Sequence, residues 1–488
     1  MNTARPGSYV VRFWIVLGAF ALLRAWFAAG VDLSPDEAYY YAWSTSLQWG
    51  YFDHGPLVAW LIRLGTLVAG HTELGVRLGA ILCSCLTCWM VFLVVRELVN
   101  DERHAFWVAL LMCVCPIFAV GAVVHTPDAA LAAAWSLAAW FALRAYRAGR
   151  MWHWIGLGAS AGLAVLAKLT GLFFIVGLAL FLFSCQAGRQ RLKGPGPAMA
   201  LLVAAVMAMP MLLWNGTHQG GSLTFQLQHA TGNVAFLPAG LLSFLGGQLG
   251  VLSPFLFVWV TLFFVFAWRR ATRFGRPEAF LLWCLGAPLF FGLLLLSVVH
   301  KVEANWPAVA YISALPGAVW AWTGGLWYLR RQRLWYAMTA GLALFISLAI
   351  HLQTIQPFLP IDPGRDPTAR LRGWSELSAE AAGEAVKLGA GLASEGYAPV
   401  SELRFYARQE VVYEPSSTRL SQYDLWPADI RSANLLYLQP LTSPVPPRVC
   451  AGARDRWLLD KGLAAKSWRA SRYRWWVCEG VNNAGEGQ

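Results

Sequence analysis

Charge is what this sequence lacks. Asp, Glu, Lys and Arg together make up 13% of the 488 residues, where a soluble protein carries about 25%. Hydrophobic residues make up 57%, and the mean hydropathy is positive. Apolar runs of about 20 residues recur as far as about residue 353, which excludes a soluble globular chain and implies a polytopic membrane protein. Acids are scarcer than bases, 26 against 38, so the formal charge is +12. That surplus does not point to nucleic acid. The bases fall in short clusters between apolar runs, the pattern of cytoplasmic loops, and the bilayer is the partner they imply. An internal repeat, a low-complexity tract and a convincing small-residue cleavage site after the first apolar run are all missing. The first run therefore reads as a retained helix rather than a cleaved signal.

The runs and their flanks predict about eleven crossings, with the N-terminus inside and the C-terminus outside. The first spans about Val10 to Val31, and the second about Leu74 to Val99. The third spans about Ala105 to Val124, and the fourth about Asp128 to Tyr146. The run from Trp154 to Cys185 is basic on both sides, with Arg147 and Arg150 before it and Arg189, Arg191 and Lys193 after. Both flanks then belong in the cytoplasm, so the run must be two short helices turning near Lys168–Gly171. Further helices are expected over about Ala198 to Trp214, up to Arg269, over about Ala279 to Val299, up to Arg330, and over about Leu334 to Gln353. Residues 1–355 thus read as a transmembrane unit. Residues 356–488 read as a small α/β domain outside the membrane. There Glu376 to Glu395 has helical spacing, and Val411–Tyr413 and Asn434–Leu438 have strand character.

Polar side chains gather at one end of the expected helices. The stretch LSPDEAYYYAWSTSLQWGYFDHGPLVAW, residues 33–60, supplies Asp36, Glu37, Tyr39, Asp53 and His54. The segment VVHTPD adds His125 and Asp128, and the turn near residue 170 adds Lys168. The turn HKVEANWP adds His300, Lys301, Glu303 and Asn305. Acids at a membrane edge are costly to desolvate and are functional suspects by default. A carboxylate can deprotonate an acceptor hydroxyl, and lysines or a histidine can neutralise a phosphate leaving group. The set suits transfer of a group from a phosphate-linked donor. On the outer face that donor would be lipid-linked, because nucleotide sugars are cytoplasmic. Structural readings stand beside these. Asp36 and Glu37 follow Ser34–Pro35 as first-turn acids of a capped helix would, and Asp128 does the same after Thr126–Pro127. Lys301 and Glu303 suit a local ion pair, and Lys168 a snorkelling side chain.

LSPDEAYYYAWS, GYFDHGPLVAWLI and HTPD resemble the bacterial branch of the protein O-mannosyltransferase superfamily, which includes the aminoarabinose transferases that modify lipid A. The resemblance implies a GT-C fold, a polyprenyl-phosphate sugar donor and a site on the periplasmic face of the bacterial inner membrane. It implies Asp36 as the catalytic carboxylate, with Glu37 and Asp128 beside it. The family's pattern often places Lys-Pro where His54 and Gly55 stand here, so the place near the donor phosphate passes to His54, with Lys168 and Lys301. Tyr39, Asp53, His125, His300, Glu303 and Asn305 are then expected to line the substrate site. A single displacement would invert the anomeric centre. No particular cofactor is implied, and the paired acids also suit a divalent metal. The acceptor is expected to be lipid A, another glycan or a protein hydroxyl. A lipid transporter or flippase is the rival reading, as is a non-enzymatic assembly protein. The first would want repeated halves and helices broken at the bilayer midplane.

Nine cysteines complete the picture. Seven lie in apolar runs and read as small packing residues. Cys450 and Cys478 are the only two in the tail. In an oxidising periplasm they are expected to pair.

Overall fold

The computed structural model describes residues 7–218, 220–231, 238–267, 276–323, 332–415, 419–426, 434–441, 456–458, 469 and 472–478. Helices α1 (Ser8–Gly30), α2 (Pro35–Thr45), α3 (Leu57–Ala69) and α4 (Glu73–Val99) come first. They are followed by α5 (Glu102–Val114), α6 (Pro116–Gly121), α7 (Pro127–Ala148) and α8 (Met151–Ala167). Next come α9 (Leu172–Ser184), α10 (Gln186–Leu192), α11 (Gly196–Thr217), α12 (Gly221–Thr231), α13 (Pro238–Leu252) and α14 (Pro254–Leu262). Three more apolar helices follow, Pro277–Leu296, Ala308–Thr323 and Gln332–Ile355. Among the described residues, six helices are long and apolar enough to cross a membrane, or up to eight if each of two bent pairs is one span. The bends, 104° after Ser184 and 113° after Leu252, are what a hydropathy window cannot see.

Local chemistry sets the ends that matter for the site. Ser34 caps α2 in a full capping box with Glu37, and Pro35 occupies the first turn, where a missing N–H costs nothing. Thr72 caps α4 by accepting from the Gly75 N–H. Helix α7 opens on Pro127 and ends at Gly149 with φ 64°, the left-handed stop that glycine favours. The expected single helix over Ala105 to Val124 is broken instead. Cys115 is extended and Pro116 restarts a short helix, because proline cannot donate to the preceding turn. The turn between α8 and α9 falls at Lys168–Gly171 as the flanking charges require. Helix α8 lies along α7 and α11. A Cβ on Gly158 would come within 2.3 Å of the Ala200 carbonyl, and one on Gly162 within 2.7 Å of the Ala204 carbonyl. Small residues four apart let the two backbones touch.

The basic end of the bundle is drawn together by ion pairs. Arg144 meets Glu97 at 2.7 Å and Arg147 meets Glu278 at 3.3 Å. Arg269 and Arg330, expected at the same end, lie outside the described residues.

Beyond the apolar helices lies a five-stranded sheet in the order β2-β1-β3-β5-β4. Its strands are β1 (Gly391–Glu395), β2 (Val411–Glu414), β3 (Leu435–Pro440), β4 (Arg456–Leu458) and β5 (Tyr473–Cys478). Strand β1 runs parallel to β2 and β3, and β5 runs antiparallel to β3 and β4. Helices Trp374–Leu388 and Tyr397–Ala407 accompany it. The stretch with helical spacing ends earlier than expected, since Gly389 stops the helix at φ 58° and residues 391–395 are strand. Cys478 is disulfide-bonded. Its expected partner Cys450 lies outside the described residues. The other seven cysteines are free.

The hydrophobic core does not divide at residue 355. One cluster joins Tyr39, Trp43, Tyr51, Val58 and Ile62 of the first loop region to Leu377, Leu403, Tyr423, Leu436 and Val477 of the sheet region. Trp43 and Tyr51 stack at 4.4 Å within it, a pair worth about 0.5–1.5 kcal/mol beyond burial.

Candidate active site

Helix α2 is the centre of the site, and its first turn carries two acids with different fates. Glu37 is 0% exposed. Its oxygens accept from Arg77 Nε at 2.8 Å and Arg77 Nη2 at 2.9 Å, from the Ser34 N–H at 2.9 Å and from the His125 N–H at 2.9 Å. Burial works to raise this carboxyl, but the Arg77 guanidinium and the backbone donors outweigh it and hold it below the usual range. Arg77 also donates to the carbonyls of Ala28, Val31 and Asp32. Glu37 and Arg77 therefore tie the end of α1, the start of α2, α4 and the 125 loop into one strut. Asp36 points elsewhere. It is half-buried, and Oδ1 accepts from the Tyr397 hydroxyl at 3.0 Å. Among the described residues, Oδ2 has no hydrogen-bond partner.

Asp53 lies under the same surface. Oδ2 accepts from the Tyr39 hydroxyl at 2.7 Å, and Oδ1 is ion-paired to Arg419. Burial raises its carboxyl, with Arg419 and Tyr39 opposing. Tyr39 is itself buried and accepts from the Gln422 N–H, and Gln422 Oε1 accepts from the Phe52 N–H at 2.8 Å. Gln226 of α12 reaches the Asp53 carbonyl and approaches His54 Nδ1 at 3.2 Å. Next to His54, a Cβ on Gly55 would stand 1.9 Å from the Leu166 carbonyl. That contact presses the first loop onto the end of α8, where Lys168 sits.

The remaining loops close around Lys168. Its ammonium donates to Asp128 Oδ1 at 2.7 Å, and Asn305 Nδ2 donates to Asp128 Oδ2 at 2.8 Å. The 300–307 turn is held by Gln248 of α13, which donates to the Ala304 carbonyl and accepts from Tyr311. His125 is fully buried. Its Nδ1 lies 2.6 Å from the Val76 carbonyl, its Nε2 has no partner among the described residues, and burial lowers its basicity. It is therefore a neutral packing group rather than a wall of a substrate cavity. Gly79 makes room for it, since a Cβ there would come within 2.6 Å of its ring. His300 Nδ1 lies 2.8 Å from the Lys301 carbonyl. Lys301 and Glu303 form a local ion pair at 2.9 Å, with side chains 79% and 54% exposed. Among the described residues, no group of three His, Cys, Asp or Glu side chains is placed to hold a metal ion. Glu37, Asp53 and Asp128 each have a cationic partner instead.

A family model described as dolichyl-phosphate-mannose-protein mannosyltransferase matches residues 53–214. A lipid A galacturonosyltransferase of Rhizobium johnstonii is 30% identical over 424 residues, covering 83% of this chain and 86% of that protein. The chain belongs to the bacterial GT-C glycosyltransferases of the protein O-mannosyltransferase and aminoarabinose transferase superfamily. An undecaprenyl phosphate-α-4-amino-4-deoxy-L-arabinose arabinosyl transferase of Proteus mirabilis is 29% identical over 33% of the chain and 30% of that protein. ArnT from Cupriavidus metallidurans in the apo state has the same fold, with a TM-score of 0.68, 15% identity and coverage of 97% and 99%. The form of that protein bound to undecaprenyl phosphate gives 0.67, at 15% identity and coverage of 99% and 100%.

Within this GT-C chain, the family match begins at Asp53 and takes in His54, His125, Asp128 and Lys168. Asp36 precedes it. Tyr397, Arg419 and Gln422 lie far beyond it, and sequence reasoning missed all three. They meet the first loop across more than 360 residues of chain, so no local spacing could reveal them. Arg77 did carry a signal, as a lone cation inside an apolar run.

Proposed function

We propose that this GT-C glycosyltransferase moves a sugar from a polyprenyl-phosphate donor to a hydroxyl at the outer face of the bacterial inner membrane, with lipid A the first acceptor to examine. The names of its relatives support donor and acceptor class. One observation carries the assignment of the base: unlike Glu37 and Asp53, Asp36 is paired with no cation among the described residues, and its Oδ2 has no partner among them. Asp36 takes the proton of the acceptor hydroxyl as that oxygen attacks the anomeric carbon. The bond from that carbon to the phosphate oxygen breaks, polyprenyl phosphate departs, and the centre inverts.

Lys168 receives the leaving phosphate. Among the described residues only one of its three ammonium protons is used, on Asp128, and Asp128 with Asn305 aims the rest. His54, beside the same turn, takes the second phosphate contact. Lys301, exposed and paired to Glu303, is the weakest of the expected phosphate ligands. Glu37 holds the loop that carries Asp36 and does not itself meet substrate. The apolar helices form about eleven crossings by the flanking charges, with the site and residues 356–488 on the periplasmic face.

Asp36→Asn tests the base. Expressed in a deletion strain, it should insert normally and lower the sugar modification, read by mass spectrometry of lipid A and surface glycans, by about 10²–10⁴-fold. Modification within a few-fold of wild type would remove Asp36 from the reaction.

A further inference from the structure

Asp36 differs from the other acids of the site in what holds it. Glu37, Asp53 and Asp128 each carry a cation. Asp36 is held by a neutral phenol, and that phenol belongs to the sheet region, at the first residue of the helix Tyr397–Ala407. The direction of the phenol's proton is fixed by a third residue. Arg419 Nη1 donates to the Tyr397 oxygen at 2.8 Å, and its guanidinium lies 4.5 Å from the Tyr397 ring centroid. A guanidinium can only donate. The phenol oxygen is thus the acceptor toward Arg419, and its own O–H must go to Asp36 Oδ1 at 3.0 Å. A hydroxyl that accepts a charged hydrogen bond becomes the stronger donor.

Arg419 is in turn anchored by Asp53, and Asp53 by Tyr39, whose oxygen accepts from the Gln422 N–H. The Tyr397 ring packs 4.7 Å from that of Tyr39, so both ends of the network are braced by the same pair of aromatics. Burial and the nearby Asp36 charge push the Tyr397 hydroxyl well above its usual range, so it remains a proton donor across physiological pH.

Resting on the reading of Asp36 as the base, we infer that Tyr397 is a positioning residue for that carboxylate. Its hydroxyl, oriented by Arg419, fixes Oδ1 and leaves Oδ2 turned to the acceptor. A half-buried aspartate without such a clamp samples several side-chain rotations, and few of them aim a lone pair at an incoming hydroxyl. A neutral donor supplies the orientation without placing a full positive charge on the base. The sheet region is on this account part of the catalytic unit, because Tyr397, Arg419 and Gln422 all come from it.

The full-length chain carrying Tyr397→Phe keeps the ring and loses only the hydroxyl. In the deletion strain, at matched membrane levels, its initial rate of glycan modification should fall about 10- to 100-fold, the cost of misplacing a reacting group by about an ångström. Purified Tyr397→Phe should keep the wild-type thermal midpoint and the wild-type affinity for undecaprenyl phosphate, neither of which a misfolded site would preserve. Arg419→Lys, which retains a donor, should lose less activity than Arg419→Met. A Tyr397→Phe rate within twofold of wild type overturns the inference. So does a loss that comes with weaker undecaprenyl phosphate binding or a lower thermal midpoint. Asp36→Asn separates the two layers. If it is inactive while Tyr397→Phe is normal, only the positioning role falls. If it is active, the base assignment falls first. An unaltered glycan profile in the deletion strain removes both.

Discussion

At the scale of single residues, the acids of this site are separated by their partners rather than by their sequence context. Asp36 and Glu37 are adjacent, yet one faces a neutral hydroxyl and the other a buried guanidinium. Removing one member of a buried ion pair strands the other, at about 3–5 kcal/mol. Glu37→Gln should therefore lower the thermal midpoint and the yield of folded protein, whereas Asp36→Asn should leave both unchanged. Equal stability of the two variants would contradict the strut. Another buried acid, Glu402, lies in the sheet region, and neither of its carboxylate oxygens is hydrogen-bonded among the described residues. Burial and the charge of Asp32 raise it well above the usual range, with Arg469 opposing, Glu37 adding and Arg77 opposing. The folded state then keeps its proton while the unfolded chain releases it above about pH 4.3. Folded protein binds more protons over that window, so stability falls with rising pH by up to about 1.4 kcal/mol per unit until the folded carboxyl ionises. Glu402→Gln cannot ionise. Its thermal midpoint should exceed that of wild type at pH 8, with the gap narrowing toward pH 5, and a gap that is the same at both pH values would rule out Glu402 as the source.

At the scale of elements, the site depends on loops pressed against helix ends. The α8–α9 turn was legible because basic residues flank the run on both sides and leave only a hairpin. The break at Cys115–Pro116 and the bends after Ser184 and Leu252 were not, because a hydropathy window averages over them. Helix α2 was legible at its start, through Ser34, Pro35 and Glu37, and its capping box is present. What α2 packs against was not legible. Gly55 shows how closely these elements meet, since any side chain would collide with the Leu166 carbonyl, and backbone cannot step aside as a flexible side chain can. Gly55→Ala should push the His54 loop off the end of α8, at about 1–3 kcal/mol of strain. Its expected signature is a weaker affinity for undecaprenyl phosphate, measured on the purified variant, because His54 and Lys168 move apart. Unchanged affinity would mean that the loop and the turn do not act together.

At the scale of the whole molecule, the described contacts restrict topology more tightly than charge does. The positive-inside rule places the Arg-rich helix ends in the cytoplasm and the acid-bearing loops opposite, but it treats the tail only as whatever follows the last helix. The contacts remove that freedom. Leu33 N–H donates to the Tyr406 hydroxyl at 2.7 Å, the Trp374 N–H donates to Asp32 at 2.8 Å, and Tyr397 reaches Asp36. The sheet region and the start of α2 must therefore lie on one side of the membrane. Lys168 must lie there too, because the Glu37–His125 contact leads directly to Asp128 and its ion pair. Single cysteines test this in a chain whose membrane-embedded cysteines have been replaced. Cysteines at Thr170 and at Val386, which is 79% exposed, should both react with a membrane-impermeant maleimide in intact spheroplasts. One at Arg150 should react only after lysis. Labelling of Thr170 and Val386 from opposite faces would break the contact between the tail and α2. Labelling of both only after lysis would keep that contact and place the site on the cytoplasmic face, where nucleotide-linked donors would become available to it.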